Sequence, residues 1–366
     1  MRWFEQGTRM GRFLAGIAAV VALVAACAPS AAPQAPPAQK AAEPAKAEPA
    51  PAQSGSLRPF TFILDFVPSG EYAAYWAALE KGWYREEGLD VKIVRGAGSG
   101  DTVKRIAAGQ GDAGSADFSA IVAARANEDV KVKAIGAYYR RPPHSIFVLA
   151  DSPIKVPKDL EGKSLAISQG NSHQILFPLF GQLAGFNADS VNWVTMDANA
   201  MGPSLISKSV DAVPFFAVHE VRINKIAQQQ GTSIRVAFRF TDYGLDMYSL
   251  AVFAREDSLT KDADPLRKFL KATYRGMAYA RDNVEESARY VLKEVPDLDP
   301  DGAIGGAKVA STFQWTDEVT SGKVAPGQFE PERVVKSRDI YTKYLNLKRE
   351  VPPDELYTND LVPDKK

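Results

Sequence analysis

The sequence predicts an α/β protein of two lobes, and three observations carry that expectation. Apolar, β-rich runs alternate with helical patterns from residue 60 onward. About 310 residues follow an N-terminal leader and tether, more than a single core usually holds. Two strand-like segments, 145–149 and 250–254, bracket a self-contained stretch, 152–248, so the chain is expected to cross between lobes twice.

The strand patterns run in order through Phe60-Thr-Phe-Ile-Leu64, residues 91–94, 134–135, 145–149, 164–167 and 250–253. Helical patterns cover 72–81 and 102–108, then 172–184, 201–207 and 219–229, and a helix-rich tail begins at Pro265. Such alternation predicts largely parallel sheets. The crossovers divide the chain into a lobe of 57–150 plus 250–366 and a lobe of 151–249, with a ligand cleft where they meet. No internal repeat is visible.

Ahead of these elements, Arg2, Arg9 and Arg12 precede an apolar run over 13–26, the pattern of a secretory signal. The run falls short of the roughly 20 residues that a spanning helix needs, and no second one follows. Leu23-Val24-Ala25-Ala26-Cys27 resembles the lipobox of bacterial lipoproteins, which implies cleavage before Cys27 and a lipid on its thiol. Cys27 is the sole cysteine, so a disulfide within the chain is excluded. Residues 27–56 are nearly all Ala, Pro, Gln, Lys, Glu and Ser, the composition of a disordered tether. The chain is thus expected on the outer face of the cytoplasmic membrane.

The chain carries 44 basic and 44 acidic residues, and loss of residues 1–26 removes three Arg and one Glu, leaving a net charge of −2. That balance gives no electrostatic case for nucleic acid. His144, His173 and His219 lie far apart without ligand spacing, so no metal site is expected. Phosphate-binding, nucleophile-elbow and zinc-protease motifs are missing, which points away from catalysis and from a bound cofactor.

Candidate ligand contacts sit where strands end, because strand C-termini open on the cleft of an α/β sheet. Asp65 and Phe66 end the first strand, with Glu71 and Tyr72 opening the next helix. Ser99 lies in the turn Gly96-Ala-Gly98-Ser99-Gly100-Asp101, whose amides can cradle a polar ligand edge or form a plain turn. Asp117, Phe118 and Tyr138 end further strands. Gln169, Asn171 and Ser172 join a strand to a helix start, where capping and ligand binding are compatible. Phe215 follows Asp211-Ala-Val-Pro. Gly82 and Gly88 bracket Trp83-Tyr84, a short helix closed by glycine whose aromatics pack beneath it.

A set of motifs in order adds a resemblance. Leu64-Asp65-Phe66-x-Pro68 leads into Tyr75-Trp76-x-Ala-x-Glu80-Lys-Gly82-Trp83-Tyr84-x-Glu-Glu-Gly88, followed by Ala108-Gly109-Gln-Gly111-Asp112-Ala-Gly114. Lys158-Asp159-Leu-x-Gly162-Lys163, Val210-Asp211-Ala212 with Glu220, and Asp242-Tyr243-Gly244-Leu245-Asp246-x-Tyr248 complete it. The run, over most of 60–290, resembles the substrate-binding proteins of ABC importers, in the branch of the thiamine-pyrimidine synthases and pyrimidine-binding lipoproteins. The resemblance implies a periplasmic-binding-protein fold of type II and a monomer that delivers a small planar heterocycle to a permease and its ATPase. It also implies that Glu220 pairs with an aminopyrimidine edge and that Tyr243 and Asp246 belong to the site. Riboflavin is an alternative cargo, and sister branches take sulfonate, taurine or nitrate, for which Arg140 and Arg141 could supply charge. Ser69-Gly70-Glu71-Tyr72 departs from the pattern, where an Asn and a His are expected, and leaves the cargo open. The synthase alternative lacks its cysteine-rich loop here, and a sensory module would need a signalling domain.

Overall fold

In the computed structural model, which describes residues 56–363, two sheets and a pair of strands are covered by helices. The leader, Cys27 and all but the last residue of the expected tether lie outside the described residues.

The larger sheet has the order β2-β1-β3-β10-β4, from β1 (Arg58–Ile63), β2 (Leu89–Val94), β3 (Ala113–Asp117), β4 (Val132–Ala137) and β10 (Leu250–Arg255). Strand β1 runs parallel to β2 and β3, whereas β10 enters between β3 and β4 antiparallel to both. The second sheet, β8-β5-β9, is wholly antiparallel: β5 (His144–Leu149) lies between β8 (Val213–Phe216) and β9 (Ile234–Arg239). Strands β6 (Ser164–Ile167) and β7 (Asn192–Thr195) pair in parallel, and Leu165 bridges to Ala212 beside β8. Mixed sheets therefore replace the expected parallel ones. The reason is the late return of β10, which slots between strands β3 and β4 laid down more than 100 residues earlier and running in the opposite direction.

Residues 145–149, expected at the end of the first lobe, form β5, which pairs with β8 and β9.

Packing on the larger sheet explains the Trp83-Tyr84 helix. Gly82 (φ 74°) and Gly88 (φ 80°) hold left-handed conformations that bracket it, as glycine tolerates without strain. Tyr84 stacks on Phe269 with ring centroids 5.2 Å apart, and Phe269 stacks in turn on Phe60 at 4.8 Å. Trp83 meets Tyr279 edge-on at 5.5 Å. Burying aromatics of this size contributes about 1.5–3 kcal/mol each. The helices Ala73–Glu80 and Asp264–Asp282 approach so closely that a Cβ on Gly276 would lie 2.3 Å from the carbonyl oxygen of Ala74. Among the described residues no helix is long and apolar enough to cross a membrane.

Candidate functional site

A small pocket opens where the carboxyl ends of β1, β6 and β8 converge. Its walls are Asp65, Phe66, Ser99, Asn171, Ser172, His173, Phe215, Phe216 and His219. Backbone chemistry brings them there. Ser99 opens the helix Ser99–Ala107, and Asn171 caps the helix Ser172–Ala184 by accepting from the His173 backbone N–H at 3.0 Å. Phe215 and Phe216 close β8, and a single turn, Ala217–His219, carries the imidazole of His219 back over the opening.

Asp65 is held from below. Its Oδ1 accepts from Ser115 Oγ at 2.8 Å and from the Tyr72 hydroxyl at 3.0 Å, while its backbone N–H donates to Ser115 Oγ at 3.0 Å. Desolvation by burial raises its pKa above the usual carboxylate range despite these bonds. Glu71, 1 % exposed, lies behind the wall with His219 Nε2 3.5 Å away, and accepts from the Tyr139 hydroxyl at 3.4 Å. Burial and the nearby Asp65 push its pKa up further. Asp117 is likewise raised by burial, and accepts from the Ser249 hydroxyl at 2.6 Å.

Three histidines gather here. His144 and His173 have ring centroids 4.5 Å apart, and His219 lies 5.4 Å from Phe215. Burial lowers His144 to about 3 and drives His173 and His219 well below the ordinary 6.5, so all three are neutral imidazoles at neutral pH. No Lys or Arg side chain is part of the wall. Arg140 is occupied elsewhere, donating to the Gln328 carbonyl at 2.7 Å and to Glu330 at 2.5 Å, and Arg141 faces Glu318 at 3.6 Å. Among the described residues no three His, Cys, Asp or Glu side chains are placed to hold a metal ion.

Of the residues expected from the sequence, Asp65, Phe66, Ser99, Asn171, Ser172 and Phe215 come together in the wall. Glu71, Tyr72 and Asp117 form a buried layer behind them. Tyr138 also lies in that layer, stacked on Tyr75 at 4.8 Å and donating to the Glu71 carbonyl at 2.8 Å. Phe118 turns into the core against Phe329 at 5.9 Å. Gln169 sits on the rim and faces a neighbouring cavity.

Glu220, Tyr243 and Asp246 do not reach the pocket. The Glu220 side chain is 43 % exposed and stands 3.9 Å from Arg239, because it begins the helix Glu220–Gln229 on the side turned to solvent. Tyr243 packs edge-on against Phe180 at 5.3 Å. Asp246 pairs with Arg333 at 2.6 Å. The sequence reading missed His173, Phe216 and His219, and dismissed the histidines as scattered. A usable signal existed: His173 stands two residues after Asn171, and His219 four after Phe215, both positions already singled out.

The family described as "NMT1/THI5 like" matches residues 69–287. The riboflavin-binding protein RibY of Chloroflexus aurantiacus is 22 % identical over 88 % of this chain and 91 % of its own length. The formylaminopyrimidine-binding protein of Halalkalibacterium halodurans is 24 % identical over 65 % of this chain and 71 % of its own. Among solved structures, the Candida albicans CA3427 product, described as having the generic periplasmic binding protein fold, superposes with a TM-score of 0.62 at 16 % identity, covering 85 % of this chain and 99 % of that one. The alkanesulfonate-binding protein SsuA of Xanthomonas axonopodis pv. citri gives 0.62 at 14 % identity, covering 84 % and 99 %. The α/β fold is that of the periplasmic binding proteins.

Proposed function

We propose, from the premise that the chain belongs to the NMT1/THI5 like family, that it is the extracytoplasmic receptor of an ABC importer and captures a small planar heterocycle in the pocket of Asp65, Phe66, His173 and Phe215. One observation carries the choice of ligand: the wall combines three phenylalanines with a buried carboxyl and neutral imidazoles and contains no Lys or Arg. Aromatic faces suit a flat ring, for which stacking contributes on the order of 1–3 kcal/mol per base in comparable nucleic-acid sites. A sulfonate or nitrate would have to shed its hydration beside a carboxyl with no Lys or Arg in the wall, the buried Arg222 interacting with Glu71 behind it, a cost of several kcal/mol. The names of the curated relatives, which specify formylaminopyrimidine and riboflavin, point the same way.

The pocket is small in this conformation, which favours a single ring over a tricyclic flavin. Riboflavin remains the second reading, because RibY matches over nearly the whole of both chains.

In this account the two sheets belong to two lobes that hinge at the crossings before His144 and before β10, and closure presents the loaded receptor to a permease. The lipobox-like segment ending at Cys27 supports a lipid anchor that keeps a monomeric receptor at the membrane surface. A thermal-shift screen of the purified protein tests the reading: an aminopyrimidine or riboflavin raises the melting temperature, and taurine, alkanesulfonates and nitrate do not. Stabilisation by the anions alone defeats it.

A further inference from the structure

The wall of the pocket holds one acceptor whose protonation the surrounding bonds determine. His173 is 2 % exposed. Its backbone N–H donates to Asn171 Oδ1 at 3.0 Å, which fixes that atom as the amide oxygen, and the Asn171 amide nitrogen accordingly donates to Ser168 Oγ at 3.3 Å. The same Oδ1 lies 2.9 Å from His173 Nδ1. An amide oxygen only accepts, so Nδ1 carries the ring proton. With the ring neutral, Nε2 is a bare lone pair, and it is buried without a hydrogen-bond partner. The main-chain carbonyl of Phe215 lies near the ring, but Nε2 makes no hydrogen bond to it. The ring is held in place by His144 at 4.5 Å, Phe216 at 5.5 Å and Phe240 at 5.7 Å.

Asp65 offers a second acceptor on the same wall. Its Oδ1 is taken by Ser115 and Tyr72, which leaves Oδ2 outside those bonds. A buried acceptor left unpaired is costly, and one met by a ligand donor discriminates strongly against analogues that lack the donor.

We infer that His173 Nε2 is a specificity-determining acceptor, and that the ligand is a heterocycle presenting an amino or ring N–H donor to it beside Asp65. The inference rests on the receptor reading above and deepens it. It assigns the polarity of the bound edge: donors face Asp65 and His173, and the ring faces lie against phenylalanine.

Calorimetry with matched probes tests it. One pair is 4-amino-5-hydroxymethyl-2-methylpyrimidine and its N,N-dimethylamino analogue, and the other is riboflavin and 3-methylriboflavin. Each pair differs by loss of the donor. Wild-type protein is expected to bind the donor-bearing member of at least one pair about tenfold or more tighter, and His173→Phe, which keeps a ring and removes the acceptor, is expected to erase most of that preference. Equal binding within every pair that binds overturns the inference while leaving the receptor reading intact, and so does a preference that survives in His173→Phe. Binding of taurine or nitrate with none of the four probes bound defeats the heterocycle reading, and this inference with it, as does binding of no probe at all. Should His173→Phe fail to fold, the wild-type comparison within pairs decides.

Discussion

At the scale of single residues, the site sets buried acids against buried bases, and each titrates in the direction that burial dictates. Glu71 has its folded pKa raised above the ordinary 4.5, so the folded state binds more protons than the unfolded one above that value. Its contribution is fully present below 4.5 and is lost as pH rises toward about 8. Glu71→Gln, a permanently neutral mimic, should therefore flatten the alkaline side of the stability profile, by up to about 1.4 kcal/mol per pH unit. Urea unfolding of both proteins at several pH values between 5 and 9 checks this, and parallel profiles would contradict it. The histidines act with the opposite sign. His144 falls from 6.5 to about 3 on burial, so stability is lost as pH drops below 6.5, where only the unfolded chain takes up the proton. His144→Gln should shrink that acid loss by a similar amount, read from the same titrations. A His144→Gln profile as steep as wild type would mean the ring is not buried neutral.

Between elements, the approach of two loops depends on glycine. Gly98 precedes the helix Ser99–Ala107, and a Cβ there would sit 2.6 Å from the Gln169 carbonyl oxygen and 2.7 Å from the Asn171 nitrogen. Its φ of 168° is extended backbone that any residue adopts, so the cost of a side chain is contact alone. Nearby, the Gly100 N–H donates to the Gly170 carbonyl at 2.8 Å. Gly98→Ala should force the two loops apart at the rim of the pocket and weaken ligand binding by about tenfold, the effect of a displacement of roughly 1 Å or less. The melting temperature of the free protein should shift little if the loops belong to separately folded lobes. Unchanged affinity in calorimetry would refute a role for this contact.

These same elements show what the sequence could reveal. Asp65, Ser99, Asn171 and Phe215 were legible because each follows a short apolar run and a turn signal, and local pattern alone places a strand end. Glu220 was not, because its family resemblance fixes a position along the chain and leaves open which side of a helix faces inward; here that side holds His219. The histidine cluster needed β5 to pair antiparallel with β8, which sets His144 opposite Phe216. That pairing spans more than 60 residues and leaves no periodic trace in either strand.

On the scale of the whole molecule, most of the architecture followed from alternating strands and helices, and the antiparallel return of β10 did not. A strand buried on both faces reads as a continuous apolar run whichever way it points. The same ambiguity hid the partners of β5, because an apolar strand looks alike as the closing strand of one sheet or the opening strand of the next. The tail beyond β10 then ties the larger sheet together: Tyr357 bridges to Ala134, and the buried Arg125 pairs with Glu256 at 2.8 Å and Glu355 at 2.9 Å. Removing one partner of a buried pair costs about 3–5 kcal/mol, and because both acids here are part-exposed Glu355→Ala should cost less, on the order of 1–2 kcal/mol by urea unfolding. No loss would show the tail to be dispensable.

A crystal structure grown with the heterocycle that stabilises the protein most tests directly whether this one pocket takes one kind of ligand edge. The ring is expected among Phe66, Phe215 and Phe216, with a ligand N–H within about 3.2 Å of His173 Nε2 and a second polar contact to Asp65. A ligand bound outside this pocket, or an anion held there by a basic side chain, would contradict it.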